Sequence, residues 1–125
     1  MKKIFYLKTC DTCKRILKQI KGAIGEKNFN SFTLQEIKSN PITAKQLDEL
    51  YKMTHSYEAL FNKRAKKYRA MDLKNQHLTE KDYQQLLLEE YTFLKRPVII
   101  LDDKIFVGNS KKNVEELIQT LKNTF

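Results

Sequence analysis

From Lys3 to Leu7 the chain sets Ile4, Phe5, Tyr6 and Leu7 side by side, and that run most narrows what it can become. Consecutive apolar residues in a strand point to both faces of the sheet, so both faces must be covered. Lys8 closes the run before it reaches helical length. The expectation is therefore a strand of a parallel or mixed sheet with helices packed against it. From Cys13 the period changes. Cys13, Ile16, Leu17, Ile20, Ala23 and Ile24 recur at helical spacing between Lys and Gln residues, and Gly22 and Gly25 fall where such a helix would stop.

The remaining pattern keeps this alternation. Asn28 to Leu34 reads as a weaker second strand through Phe29, Phe32 and Leu34. After Asn40-Pro41, Thr43 and Gln46 form a capping-box pattern ahead of Leu47, Leu50 and Tyr51. A second helical stretch is expected around Tyr57 to Phe61. Thr79 caps a third, with Tyr83, Leu86, Leu87 and Tyr91 on its inner side. Residues 43–91 hold no strand pattern and read as an all-helical insert. Val98–Leu101 and Ile105–Val107 then flank Asp102-Asp103-Lys104, which suits a tight hairpin. Ser110 caps a last helix with Val114, Leu117, Ile118 and Leu121 at positions i, i+3, i+4 and i+7. One α/β sandwich spanning 1–125 accounts for this order.

Length and composition remove other classes. A chain of 125 residues with 41% hydrophobic residues has enough apolar material for one packed domain and is too rich in it for disorder. Val98–Leu101 is the longest aliphatic run and is far too short to cross a bilayer. The apolar segment after Lys2 and Lys3 ends before signal-peptide length, so a cytoplasmic, membrane-free protein is expected. The net charge of +9 attracts polyanions, acidic protein surfaces and small oxyanions without choosing among them.

Cys10-Asp11-Thr12-Cys13 carries the chemistry. Cys10 lies where the first strand feeds the first helix, and Cys13 lies one turn inside. Unpaired N–H groups and the positive end of the helix dipole favour a thiolate there, and Lys14 and Arg15 add charge. Such surroundings bring a thiol pKa from about 8.5 down to roughly 3.5–7.5. A second thiol three residues on can release whatever the first captures, which is the spacing of thiol–disulfide exchange. Half a zinc site and a chance pair are the alternatives. Zinc is disfavoured because His55 and His77 form no closely spaced ligand pair and read as surface residues, so no metal is expected. Arg96-Pro97 reads either as a plain strand entry or as a cis-proline loop that faces the cysteines with Arg96 beside it. Phe61 to Arg69 holds five positive charges among aromatics. It reads as a solvated face, an anion site near Arg64 or a patch for an acidic partner, and it lacks any nucleic-acid reading element.

Together, Cys10-Asp11-Thr12-Cys13-Lys14-Arg15, Asn62-Lys63-Arg64 in a helical insert and Leu94-Lys95-Arg96-Pro97-Val98-Ile99 before a hairpin resemble the ArsC/Spx family. That family comprises glutaredoxin-type arsenate reductases, their relatives and the Spx redox regulators of transcription. The resemblance covers nearly the whole chain. It implies a thioredoxin-like, glutaredoxin-type mixed four-stranded sheet with the all-helical insert between strands 2 and 3. It also implies that Cys10 is the nucleophile, that Lys14, Arg64 and Arg96 hold an anion or substrate, and that Pro97 is the cis-proline. Two departures stand out. Cys13 lies where glutaredoxin-dependent arsenate reductases carry serine, which suggests an internal disulfide with Cys13 as the resolving thiol. Val107-Gly108-Asn109-Ser110 lacks the arginine those enzymes have after the last hairpin.

Two functions follow from the resemblance. One is a monomeric thiol–disulfide oxidoreductase without bound cofactor, acting on a thiol, a disulfide, arsenate or a related oxyanion. Its electron donor would be thioredoxin or the glutathione/glutaredoxin system. The other is an Spx-like regulator that binds RNA polymerase and is switched by the Cys10–Cys13 disulfide. The end of the chain at Phe125, shortly after the last helical pattern, favours the first.

Overall fold

Ile4 and Phe5 are neighbours in sequence and both are buried, as a strand covered on both sides requires. A computed structural model describes all 125 residues. The elements in order are β1 (Lys2–Tyr6), α1 (Asp11–Ile24), α2 (Glu26–Phe29), β2 (Thr33–Glu36), α3 (Ala44–Thr54), α4 (Lys66–Ala70), α5 (Glu80–Glu89), β3 (Val98–Leu101), β4 (Lys104–Val107) and α6 (Lys111–Thr124). Single 3-10 turns lie at Glu58–Leu60, Leu73–Asn75 and Tyr91–Phe93. No helix is long and apolar enough to cross a membrane. The chain divides into two compact units, Met1–Ile37 with Arg96–Phe125, and Lys38–Lys95.

The first unit contains the expected mixed four-stranded sheet, in the order β2-β1-β3-β4. β1 runs parallel to β2 and antiparallel to β3, and β4 returns antiparallel to β3. Ile4, Ile99 and Phe106 share one row across the sheet. They meet Ile16, Ile20 and Ile24 of α1 and Leu117 and Leu121 of α6 in one apolar cluster. The hairpin turn is tight: Leu101 pairs with Lys104 and Asp102 takes a positive φ of 56°. Ser110 caps α6, its Oγ accepting the Asn113 N–H at 3.2 Å.

The second strand differs from expectation. Residues 28–32 are not extended; Phe29 ends α2, and β2 begins only at Thr33. Phe29 and Phe32 are spaced i, i+3, which in a strand would send them to opposite faces. The turn closed by Phe32 N–H on Phe29 O at 3.0 Å instead buries both rings in the α1–α6 cluster. Gly22 lies within α1, and Gly25, at φ 84°, ends it.

Every regular element of the second unit is a helix or a 3-10 turn, as the pattern over 43–91 implied. Thr43 and Gln46 make both bonds of a capping box at α3, and Thr79 with Asp82 does the same at α5. The helix expected around Tyr57–Phe61 is a single 3-10 turn. Phe61 leaves it extended and bridges Leu94. The Phe61 ring contacts Tyr83 at 5.1 Å, Phe93 at 4.8 Å and Tyr68 at 5.9 Å between centroids. Those tertiary contacts, rather than local propensity, hold the short α4 and the turns around it. Tyr91 lies beyond the end of α5, in the 3-10 turn.

Phe61→Ala should therefore cost about 3–5 kcal/mol in urea unfolding, because the cavity opens at the centre of the ring cluster. Leu88→Ala, on the exposed side of α5, should stay within ~0.5 kcal/mol. A loss below ~1 kcal/mol at Phe61 would mean that the rings do not form the core of this unit.

Candidate functional site

The chain turns sharply between β1 and α1. The Cys10 N–H donates to Leu7 O at 3.1 Å, and Lys14 N–H closes the first helical bond on Cys10 O at 3.1 Å. Cys10 is thus the N-cap of α1, in extended backbone. Cys13 falls on the stripe shared with Ile16, Ile20 and Ile24 and is fully buried, whereas Cys10 is half-exposed. Packing of that stripe on the sheet sets both positions. The two cysteines, both free thiols, lie 3.8 Å apart.

Their electrostatics diverge. Partial burial raises the Cys10 thiol, but the Cys13 backbone and side chain, an Arg96 hydrogen bond and the Arg96 charge outweigh it and hold Cys10 below its ordinary value. The Cys13 backbone N–H and thiol both favour the negative form of the Cys10 sulfur at this helix start. Cys13 is pushed up to about 12, first by burial and then by the charge and hydrogen bond of Cys10, against a hydrogen bond from the Leu7 backbone. One thiol is thus more acidic than an ordinary cysteine and its neighbour is less so.

Arg96 enters from the start of β3. The Arg96–Pro97 peptide is cis, as one of the two sequence readings had it. Pro97 is buried, and its carbonyl accepts the Gly108 N–H at 2.9 Å. Asn109 Nδ2 donates to Arg96 O at 3.5 Å, and Asn113 Nδ2 to Gly108 O at 2.9 Å. The segment that lacks an arginine is thus tied to the proline turn. Gly108 sits there at φ 87°, a conformation that favours glycine. Lys14 is exposed one turn into α1, 4.0 Å from Asp11, in a pair too solvated to hold it firmly.

The first unit thus brings together Cys10, Cys13, Arg96, Pro97 and Lys14. Arg64 belongs to the second unit, where it is exposed and its N–H donates to Asn62 Oδ1 at 3.0 Å. In the same basic run Lys63 pairs with Glu58 and Lys67 with Glu90. His55 and His77 are both exposed. Sequence reasoning passed over the Leu7 backbone, Asn109 and Asn113. Backbone donors leave no mark in side-chain identity, and Asn after Gly reads only as a turn.

The family model for the ArsC family matches residues 5–117. The chain belongs to the ArsC family. Among curated proteins it is similar to the global transcriptional regulator Spx 1 of Bacillus cereus, 21% identical over 118 residues, covering 94% of this chain and 86% of that one. Among solved structures, an arsenate reductase from Vibrio cholerae superposes with a TM-score of 0.68 at 14% identity, covering 94% of this chain and 95% of that one. A Staphylococcus aureus protein determined by solution NMR reaches a TM-score of 0.73 at 28% identity, covering 93% and 97%. The fold of this ArsC-family chain is accordingly thioredoxin-like.

Arg96→Ala removes a hydrogen bond and a positive charge that both favour the Cys10 thiolate, so the Cys10 pKa should rise. In a Cys13→Ser background, the pH profile of iodoacetamide alkylation should move to higher pH in the Arg96→Ala variant. An unmoved profile would mean that Arg96 does not act on the sulfur.

Proposed function

We propose that the protein is a thiol–disulfide oxidoreductase of the ArsC type, with Cys10 as nucleophile and Cys13 as resolving thiol. The observation that carries this reading is the pair itself: two free thiols 3.8 Å apart, one depressed at a helix N-terminus and one raised by burial. The Cys10 thiolate attacks a substrate sulfur, forms a mixed disulfide and expels the substrate's other sulfur as a thiolate. Cys13 then loses its proton, attacks the Cys10 sulfur and displaces the captured group, which leaves a Cys10–Cys13 disulfide.

The geometry supports that order. Once Cys10 is in a mixed disulfide, its negative charge is gone, and so is one of the causes that raise Cys13. The Arg96 charge remains and now favours the Cys13 thiolate alone. Capture at Cys10 thus lowers the barrier to resolution.

An oxyanion substrate fits the same pair. The Cys10 thiolate would attack arsenic(V), and an oxygen would leave as water. Attack by Cys13 on the Cys10 sulfur would then send two electrons to arsenic, which departs as arsenic(III). Arg96 reaches the sulfur. By family resemblance Lys14 and Arg64 add charge for the anion, and Pro97 orders the loop that carries Arg96. The disulfide would be returned to thiols by thioredoxin or by glutathione/glutaredoxin, with no cofactor bound.

One observation favours a second reading, a redox-switched regulator that contacts RNA polymerase. The chain is similar to Spx proteins over 94% of its own length. Binding of RNA polymerase that differs between the reduced and oxidised forms would support it.

The test of the enzyme reading uses single substitutions with a disulfide or arsenate as acceptor. Cys10→Ser should abolish turnover, and Cys13→Ser should stop it at the Cys10 adduct, a mixed disulfide with a disulfide acceptor or a sulfur–arsenic(V) adduct with arsenate, visible by intact mass. Arg96→Ala and Arg64→Ala should each weaken turnover by about 1–3 kcal/mol, the usual range for a hydrogen bond to a charged group. Arg69→Ala, in the same basic run, should be nearly silent. Full turnover by Cys13→Ser without an added monothiol would contradict the resolving role.

A further inference from the structure

Two strands end and two helices begin at the same end of the first unit. β1 runs toward Tyr6 and β4 toward Val107, with Tyr6 opposite Glu36 and Val107 opposite Val98 there. Short connections lead from them into α1 at Asp11 and α6 at Lys111. Asn109, two residues before α6, reaches the Arg96 carbonyl, so the start of α6 lies beside the proline turn.

Cys10 is therefore set among cations from several segments. Lys8, Lys14, Arg15, Lys111 and Lys112 are all exposed, and Arg96 is half-buried. The carboxylates at this end are Asp11, beside Lys14, and Glu36, which accepts the Lys8 N–H at 3.0 Å. Asp102 and Asp103 lie in the β3–β4 turn at the opposite end of the sheet, where Asp102 pairs with the N-terminus and Lys2. Glu115 and Glu116 come only in the second turn of α6. Two helix N-termini add their partial positive charge.

A small oxyanion needs only the groups that reach the sulfur, and Arg96 does so. Lys8, Arg15, Lys111 and Lys112 make no ion pair. Their field acts on an anion broader than one tetrahedral ion and steers it to the thiol. We infer that this cationic rim is a docking surface for an acidic polypeptide segment that bears the cysteine exchanged with Cys10. This inference rests on the thiol-exchange reading above and names the partner class of that same site.

Three synthetic peptides test it on the full reduced protein. Each bears one cysteine activated as a mixed disulfide with thiopyridine, flanked by Glu, Ser or Lys. Cys10 captures the peptide sulfur and releases thiopyridine. Cys13 then displaces the peptide as a free thiol, leaving the protein disulfide, so two thiols are oxidised and one disulfide is reduced. At low salt the Glu peptide should react at least about tenfold faster than the Ser peptide and the Lys peptide more slowly than either. The difference should collapse near 1 M salt, where the Debye length is about 3 Å.

Lys111→Glu with Lys112→Glu should reverse the order of the charged peptides and leave the Ser peptide within about twofold. Glu in the first turn of α6 suits the helix dipole, so that variant should fold. Equal rates for the Glu and Lys peptides would overturn the docking surface while leaving the thiol chemistry intact. Failure of all three peptides to react would instead overturn the thiol-exchange reading. A Glu preference that survives the double substitution would overturn the rim. Competition by a single-stranded RNA oligonucleotide at concentrations where poly-glutamate has no effect would assign the rim to nucleic acid and overturn the inference.

Discussion

The fit of α1 on the sheet is the constraint from which the site follows. Cys13 shares a stripe with Ile16, Ile20 and Ile24, and burial of that stripe against Ile4, Ile99 and Phe106 fixes both the rotation of the helix and the place of its first turn. With Cys13 inside, Cys10 can only be the N-cap, half-exposed and facing the open N–H groups. The same packing that stabilises the helix desolvates one thiol and leaves the other beside Arg96. Structure and reactivity asymmetry therefore have one origin.

What was legible in the sequence was whatever depends on near neighbours. The thiol pair, the helix caps at Thr43 and Thr79, the hairpin and the last helix are all local patterns, and each stands where its residues indicated. What was not legible depends on distant contacts. Phe29 and Phe32 looked like strand residues because aromatic residues favour strands, yet a core between α1 and α6 draws both from a turn. α4 and the 3-10 turns around it have little intrinsic stability, and the rings gathered on Phe61 decide their place. Within the site, Arg96 could be found because a proline marks it. The Leu7 backbone hydrogen bond to Cys13 and the asparagine ties behind Pro97 carry no such mark.

Charge adds a second layer to the same geometry. The net excess of +9 says only that the protein attracts anions. Topology concentrates part of that excess at the end of the sheet where β1 and β4 finish and α1 and α6 begin, which is also where Cys10 lies. A thiolate there is stabilised at short range by Arg96 and is presented at longer range within a positive field. Reactivity and partner choice would then draw on different residues and could be altered separately.

The two thiols, 3.8 Å apart, are chemically unlike. Ultraviolet thiolate absorbance of the reduced protein, followed across pH, measures this directly. One thiolate should form below the ordinary thiol range, and the second thiol should stay protonated until the pH approaches about 12. Cys10→Ser should remove the first step and Cys13→Ser the second. Two thiols titrating together near the ordinary value would contradict the account.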